Sequence, residues 1–252
     1  MVRGIDVFKE HFADYGGQYV LIGGSACDMI FNENVLPFRA TKDLDVVLIA
    51  EALTSEFVRQ FWAFIKQGKY AIRRRRDGSP IFYRFCNPEN QDFPKVIELF
   101  SRDDTLLREP ADDGGIIPIT TDEDISGLSA ILLNDVYYRL IQEGTTMIDG
   151  LSVLSDSYLI LCKARAWLDL SRQKANGVQI HSDDIRKHKR DVVRLSMLLV
   201  PGQHITLQDE VKQDMVSFLS AYKADPSILQ DLGIKGIDNT EIIKRLQEYY
   251  SL

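Results

Sequence analysis

The stretch YVLIGGSACDMIFNENVLPFRATKDLDVVLIA, residues 19–50, opens on an apolar run and breaks at Gly23-Gly24-Ser25. It closes on two carboxylates, Asp43 and Asp45, which flank one leucine and lead into a second apolar run. Tyr19 to Ile22 and Leu44 to Ile49 predict buried strands; Ala26, Met29 and Ile30 share a helical face between them, with Ser25 as the cap. Side chains alternate along a strand, so Asp43 and Asp45 project to one side while Leu44 enters the core. Paired carboxylates repel unless water or a cation stands between them, and oxygen ligands with room for phosphate suit Mg²⁺ or Mn²⁺. A Gly-Gly-Ser turn between strand and helix lets backbone N–H groups approach a phosphate, with the Ser25 hydroxyl as a further donor. Taken singly, the glycines also serve to end a strand and Asp-Leu-Asp to cap a turn; it is their order on consecutive elements that favours a site.

Beyond this stretch, Val7 to Tyr15 and Glu51 to Gln67 read as amphipathic helices. Asp77-Gly78, between two β-rich runs, signals a hairpin. Lys95 to Phe100 is a further strand, and it carries Glu98 between apolar neighbours. A charge there is costly unless it joins the same cation cluster, although a glutamate facing water from an edge strand has the same local sequence. Ile116 to Leu154 reads as a β-meander with turns at Asn134-Asp135 and Asp149-Gly150, and from Ser155 onward the pattern is helical. The expected fold is α+β: a mixed sheet with flanking helices, then a β-rich segment and a helical second half. The expected domains are residues 1–154 and a helical domain, 155–252, that closes a cleft.

The chain has 252 residues, 45% hydrophobic and 27% charged, with a formal net charge of −7. That balance fits a globular protein, and its overall field favours neither a nucleic-acid backbone nor an anionic membrane. No stretch has the length of a membrane span or the layout of a signal peptide, so a cytoplasmic protein without membrane partners is expected. Cys27, Cys86 and Cys162 are far apart, and His11, His181, His188 and His204 show no metal-ligand spacing.

The combination GGSA…RATKDLDVVL resembles the signature of the nucleotidyltransferase superfamily with the DNA-polymerase-β-like fold: a glycine turn, Asp-x-Asp, then a third acid on a later strand. The run Arg39-Ala40-Thr41-Lys42-Asp43-Leu44-Asp45 looks most like the AbiEii-type abortive-infection toxin branch, as do the Lys-x-x-Ala motif from Lys163 to Ala166 and Arg190-Asp191 in the second half. The resemblance implies metal binding by Asp43 and Asp45, with Glu98 as the third acid, and phosphate binding by Gly23, Gly24 and Ser25. It further implies that Lys163 contacts the triphosphate and Asp191 lines the site. The match departs after Asp191, where Arg194 stands in place of the second aspartate usual in that motif.

These features imply transfer of an NMP from an NTP, assisted by Mg²⁺ or Mn²⁺, to a hydroxyl of RNA, protein or a small molecule, with release of pyrophosphate. The toxin branch adds an antitoxin-like partner. A drug-modifying nucleotidyltransferase and a non-catalytic nucleotide-sensing module are the alternatives. The basic run Arg73 to Arg76, with Tyr83, Arg84 and Phe85, suits either a phosphate grip or a solvated hairpin whose charges block edge pairing.

Overall fold

A computed structural model of the chain describes residues 2–74, 81–102, 134–223 and 227–252. The chain divides into two compact units, Met1–Ile125 with Ile141–Ser155 and Ser126–Leu140 with Asp156–Leu252. All the described strands lie in the first unit. They are β1 (Tyr19–Ile22), β2 (Asp43–Leu48), β3 (Ala71–Arg74), β4 (Ile81–Cys86), β5 (Val96–Ser101), β6 (Thr145–Ile148) and β7 (Leu151–Leu154). They form one mixed sheet in the order β3-β4-β5-β2-β1-β7-β6. The β2–β5 and β1–β7 pairs are parallel and the others antiparallel.

Register assigns the two faces. Leu21 pairs with Val46, Leu44 with Ile97, and Ile97 with Phe85, which places these apolar side chains on one face. Helices α1 (Ile5–Phe12) and α3 (Ser55–Gly68) supply that face with aromatic rings. Phe8 meets Tyr19 edge-on at 5.4 Å, and Phe61 meets Phe85 at 5.5 Å. Phe64 is fully buried among Phe8, Phe12 and Phe93. Thr54 caps α3 by accepting a hydrogen bond from the Phe57 amide, leaving the Phe57-Phe61-Phe64 stripe to face the sheet. The opposite face, at the start of β2 and the adjoining part of β5, carries the acids.

The expected α+β class holds: a mixed sheet with flanking helices is followed by a helical C-terminal half. Residues 116–133 of the expected β-meander lie outside the described residues, and one described segment differs. Asp135–Glu143, expected within a β-meander, forms helix α4, because Asn134 accepts hydrogen bonds from the Val136 and Tyr137 amides and so starts a helix. The Asp149-Gly150 turn is present, with positive φ at both residues, and joins β6 to β7. The turn expected at Asp77-Gly78 lies outside the described residues, but the strands on either side of it pair antiparallel.

The second unit is built on α5 (Asp156–Ala175), α6 (Ser182–Ser196), α7 (Asp209–Lys223), the short α8 (Ile228–Asp231) and α9 (Asn239–Tyr249). Arg165 ties three segments together: it pairs with Asp169 at 2.9 Å and Asp214 at 2.7 Å, and Asp214 also accepts from the Tyr137 hydroxyl. No helix among the described residues is long and apolar enough to cross a membrane.

Phe64→Ala is expected to cost about 3–5 kcal/mol, since the ring leaves a cavity that rigid aromatic neighbours cannot refill. Urea unfolding measures this; a loss below about 1 kcal/mol would show that the cluster collapses around the gap.

Candidate active site

Helix α2 (Gly23–Glu33) starts directly after β1, with no intervening loop. The reversal depends on Gly23, whose φ is +69° and whose hypothetical Cβ would lie 1.8 Å from Asp45 Oδ2. Any side chain there would displace the carboxylate as well as strain the backbone. The Gly24 amide donates to Asp45 Oδ2 at 3.3 Å, so the glycine turn is built over one of the two aspartates. Thr41 Oγ1 would lie 2.7 Å from a Cβ on Gly24, and an Arg39 guanidinium nitrogen 3.4 Å from it. Sequence reasoning gave these two residues no role. The signal was available, because 41, 43 and 45 are alternate positions leading into one strand.

The third acid sits beside the second. Asp45 on β2 pairs in parallel register with Glu98 on β5, and Glu98 pairs with Arg84 on β4. Asp45 and Glu98 are both buried, whereas Asp43 at the mouth of the strand is half-exposed. Arg84 Nη1 lies 3.5 Å from Glu98 Oε1. Glu98 titrates well above the ordinary carboxyl range. Burial is the main cause and the Asp45 charge the next; Arg84 opposes the rise, while Asp43 and a hydrogen bond with Asp45 add to it.

Ser25 is fully buried, and its hydroxyl, expected to donate to a phosphate, donates instead to the Ile22 carbonyl at 3.0 Å. It stands inside α2 rather than at the cap. Lys163 on α5 and Asp191 on α6 belong to the second unit, where they meet in an ion pair of 2.8 Å with side chains only 4% and 1% exposed. Their joint appearance in the sequence thus has a structural basis of its own: each compensates the other's buried charge.

Among the described residues no group of three or more His, Cys, Asp or Glu side chains converges as a ready metal cage. A hard cation bridging substrate phosphates does not need one, since it usually takes one or two carboxylates and fills its remaining positions with phosphate and water oxygens. Asp43 and Asp45, on one strand face with their charges close enough to affect Glu98, fit that smaller requirement.

No protein-family model and no curated protein matches this chain. Solved structures do resemble it, two of them as follows. One is an antigenic nucleotidyltransferase-like protein from Paracoccidioides brasiliensis, 14% identical, with 98% of this chain and 95% of that one covered at a TM-score of 0.48. The other is the antibiotic-resistance factor ANT(2'')-Ia, 11% identical, with 88% and 96% covered at a TM-score of 0.38. Likeness of this degree leaves the chemistry to be argued from the residues themselves.

Two expectations follow. In chelator-treated protein Glu98 keeps a proton that the unfolded chain releases above its ordinary value of 4.5. Its contribution to stability is therefore complete below that pH and is lost as pH rises towards the raised folded value. Glu98→Gln removes that loss, so its melting temperature should overtake wild type above pH 4.5, by roughly 2–4 °C per kcal/mol relieved. Parallel pH profiles for the two proteins would refute this. Lys163→Met should cost about 3–5 kcal/mol by stranding Asp191, and Lys163→Met with Asp191→Leu should recover most of it. Denaturant unfolding of the single and double variants decides, and a single variant as stable as wild type would contradict the pairing.

Proposed function

We propose that the chain is a metal-dependent nucleotidyltransferase that moves an NMP from an NTP to an acceptor hydroxyl. The reading is carried by one observation: a glycine turn seated on Asp45, with Glu98 at the adjoining register position. An amide-rich helix start beside carboxylates suits a polyphosphate only when a cation joins the two, because bare phosphate and bare carboxylate repel.

Asp43 and Asp45 would hold the Mg²⁺ or Mn²⁺, which when bound screens the phosphate charge and stabilises the leaving pyrophosphate. The helix start at Gly23-Gly24 would turn its backbone amides toward the phosphates, with Thr41 and Arg39 as the neighbouring wall. Glu98 would orient the acceptor hydroxyl and, with a bound cation's charge offsetting the repulsion that otherwise keeps it protonated, would take the hydroxyl's proton. The acceptor oxygen bonds to the α-phosphorus, the bond from that phosphorus to the β-phosphate oxygen breaks, and pyrophosphate departs with the electron pair.

The finer assignment, to the AbiEii-type toxin branch with an antitoxin-like partner, draws on the Arg39 to Asp45 run and on Lys163 and Asp191; Arg194 is the departure from it. RNA, a protein side chain and a small molecule are its candidate acceptors. A non-catalytic nucleotide-binding module is the rival reading, and what favours it is that Glu98 already has Asp45 and Arg84 as partners.

Asp45→Asn should abolish the stabilisation that Mn²⁺ with NTP gives the wild-type protein while leaving the ligand-free melting temperature equal or higher. Asparagine keeps an acceptor for the Gly24 amide but removes one of the clustered charges. Thermal melts with and without Mn²⁺-NTP measure both effects, and an undiminished ligand-induced shift in the variant would sink the metal site. Release of labelled pyrophosphate then separates the enzyme from the module.

A further inference from the structure

We infer that Arg84 is a specificity residue on the acceptor side of this site and that it selects an acceptor bearing a phosphate close to the hydroxyl that is modified. The inference rests on the transferase reading above and names the substrate class for it.

Across three neighbouring strands the paired positions read Asp45, Glu98 and Arg84. Two acids are followed by an arginine, so the row offers a place for a cation at one end and for an anion at the other.

Arg84 is poorly suited to be only a counter-ion. A docked guanidinium–carboxylate pair is bidentate at about 2.7–2.9 Å. Here one nitrogen reaches one oxygen at 3.5 Å, and the arginine side chain is 31% exposed against 11% for Glu98. The guanidinium therefore stands at the solvent side of the glutamate, a fork of N–H groups of which one reaches Glu98 among the described residues.

Position then identifies the ligand. Glu98 takes the proton of the attacking hydroxyl, so whatever lies one strand spacing away, on the order of 5 Å, rests over Arg84. Within one nucleotide a phosphate and a ribose hydroxyl have about that separation, and a guanidinium fork matches phosphate oxygens. A polyamine acceptor would meet like charge at the same place. In the transfer itself Arg84 gains and loses nothing: the hydroxyl oxygen bonds to the α-phosphorus, its proton passes to Glu98, and pyrophosphate leaves.

The test is calorimetry on the full chain, with and without Mg²⁺ and a non-hydrolysable NTP analogue. The acceptors are a nucleoside, its 5′-monophosphate, a short RNA and an aminoglycoside. The monophosphate should bind about 10–100-fold more tightly than the nucleoside, the range of a charge-assisted hydrogen bond. Arg84→Gln should erase most of that ratio while leaving the affinities for the nucleoside and the NTP analogue in place, and Arg84→Lys should retain part of it. Tighter binding of RNA than of the monophosphate assigns the phosphate to a polymer, and equal binding assigns it to a small phosphoester; both support the proposal. Equal affinity for nucleoside and monophosphate, a preference for the aminoglycoside, or an equal loss of both acceptors in Arg84→Gln would overturn it. Should Arg84→Gln fail to fold, as its melt would show, Arg84→Lys decides by whether the monophosphate alone is weakened. Failure of the NTP analogue to bind would count against the transferase reading, whereas the acceptor comparison without analogue still judges Arg84.

Discussion

Two carboxylates buried side by side are the constraint around which the first unit is arranged. Asp45 and Glu98 occupy paired positions on parallel strands, where each raises the cost of charging the other. The molecule meets that cost by strengthening the hold of Glu98 on its proton and by setting the Arg84 guanidinium and the Gly24 amide beside the pair. None of these is a hydrophobic solution, although apolar side chains at the same positions would cost far less. Gly23 belongs to the same arrangement, since only a residue without a side chain lets the chain turn into α2 against Asp45. Unfavourable local electrostatics maintained by a precisely fitted backbone is the expected mark of a site arranged for a ligand.

The second unit handles buried charge differently. Lys163 and Asp191 neutralise one another at 2.8 Å, and Lys189 lies 5.6 Å from the ring centres of both Trp167 and Tyr222. Arg165 gathers Asp169 and Asp214. These are pairs of opposite sign, which hold helices in register against each other. The contrast with the first unit is informative: where opposite charges meet, the fold alone explains them, and where like charges meet, it does not.

Much of the first unit was legible in the sequence because its signals are local. A β-rich run stopped by glycines, a helical apolar stripe from Phe57 to Phe64 and an alternating Asp-Leu-Asp each declare an element within a few residues. The neighbour of Asp45 was not legible in that way. Glu98 follows it by more than fifty residues, and which strand lies beside β2, in which register, is decided by packing of the whole sheet. Arg84 was visible as a basic hairpin residue, but its meaning depends on the same pairing. Asn134 was misread for a chemical reason: a side-chain amide that accepts from the following backbone begins a turn and a helix alike. Ser25 was misplaced because α2 begins three residues earlier than a capping serine would require, with Ile22 at the cap.

The sheet's chain order bears on how the protein comes to exist. Strand β1 is bordered on one side by β2 and on the other by β7, which begins some 130 residues later at Leu151. Ser152 reinforces that late seam by donating to the Gly16 carbonyl. During synthesis at about 5–20 residues per second, β1 therefore waits on the order of ten seconds with one edge of unpaired amides and carbonyls. Such an edge invites pairing with other chains, and a strand that depends on so distant a partner folds slowly. β2, the strand carrying Asp43 and Asp45, is bordered by β1 and β5 and so has both neighbours early, whereas β1 completes its own pairing only once the hairpin at Asp149-Gly150 has closed. A ribosome-bound fragment ending before that hairpin would hold Asp43, Asp45 and Glu98 on strands already paired, yet present the outer edge of β1 bare to any other chain.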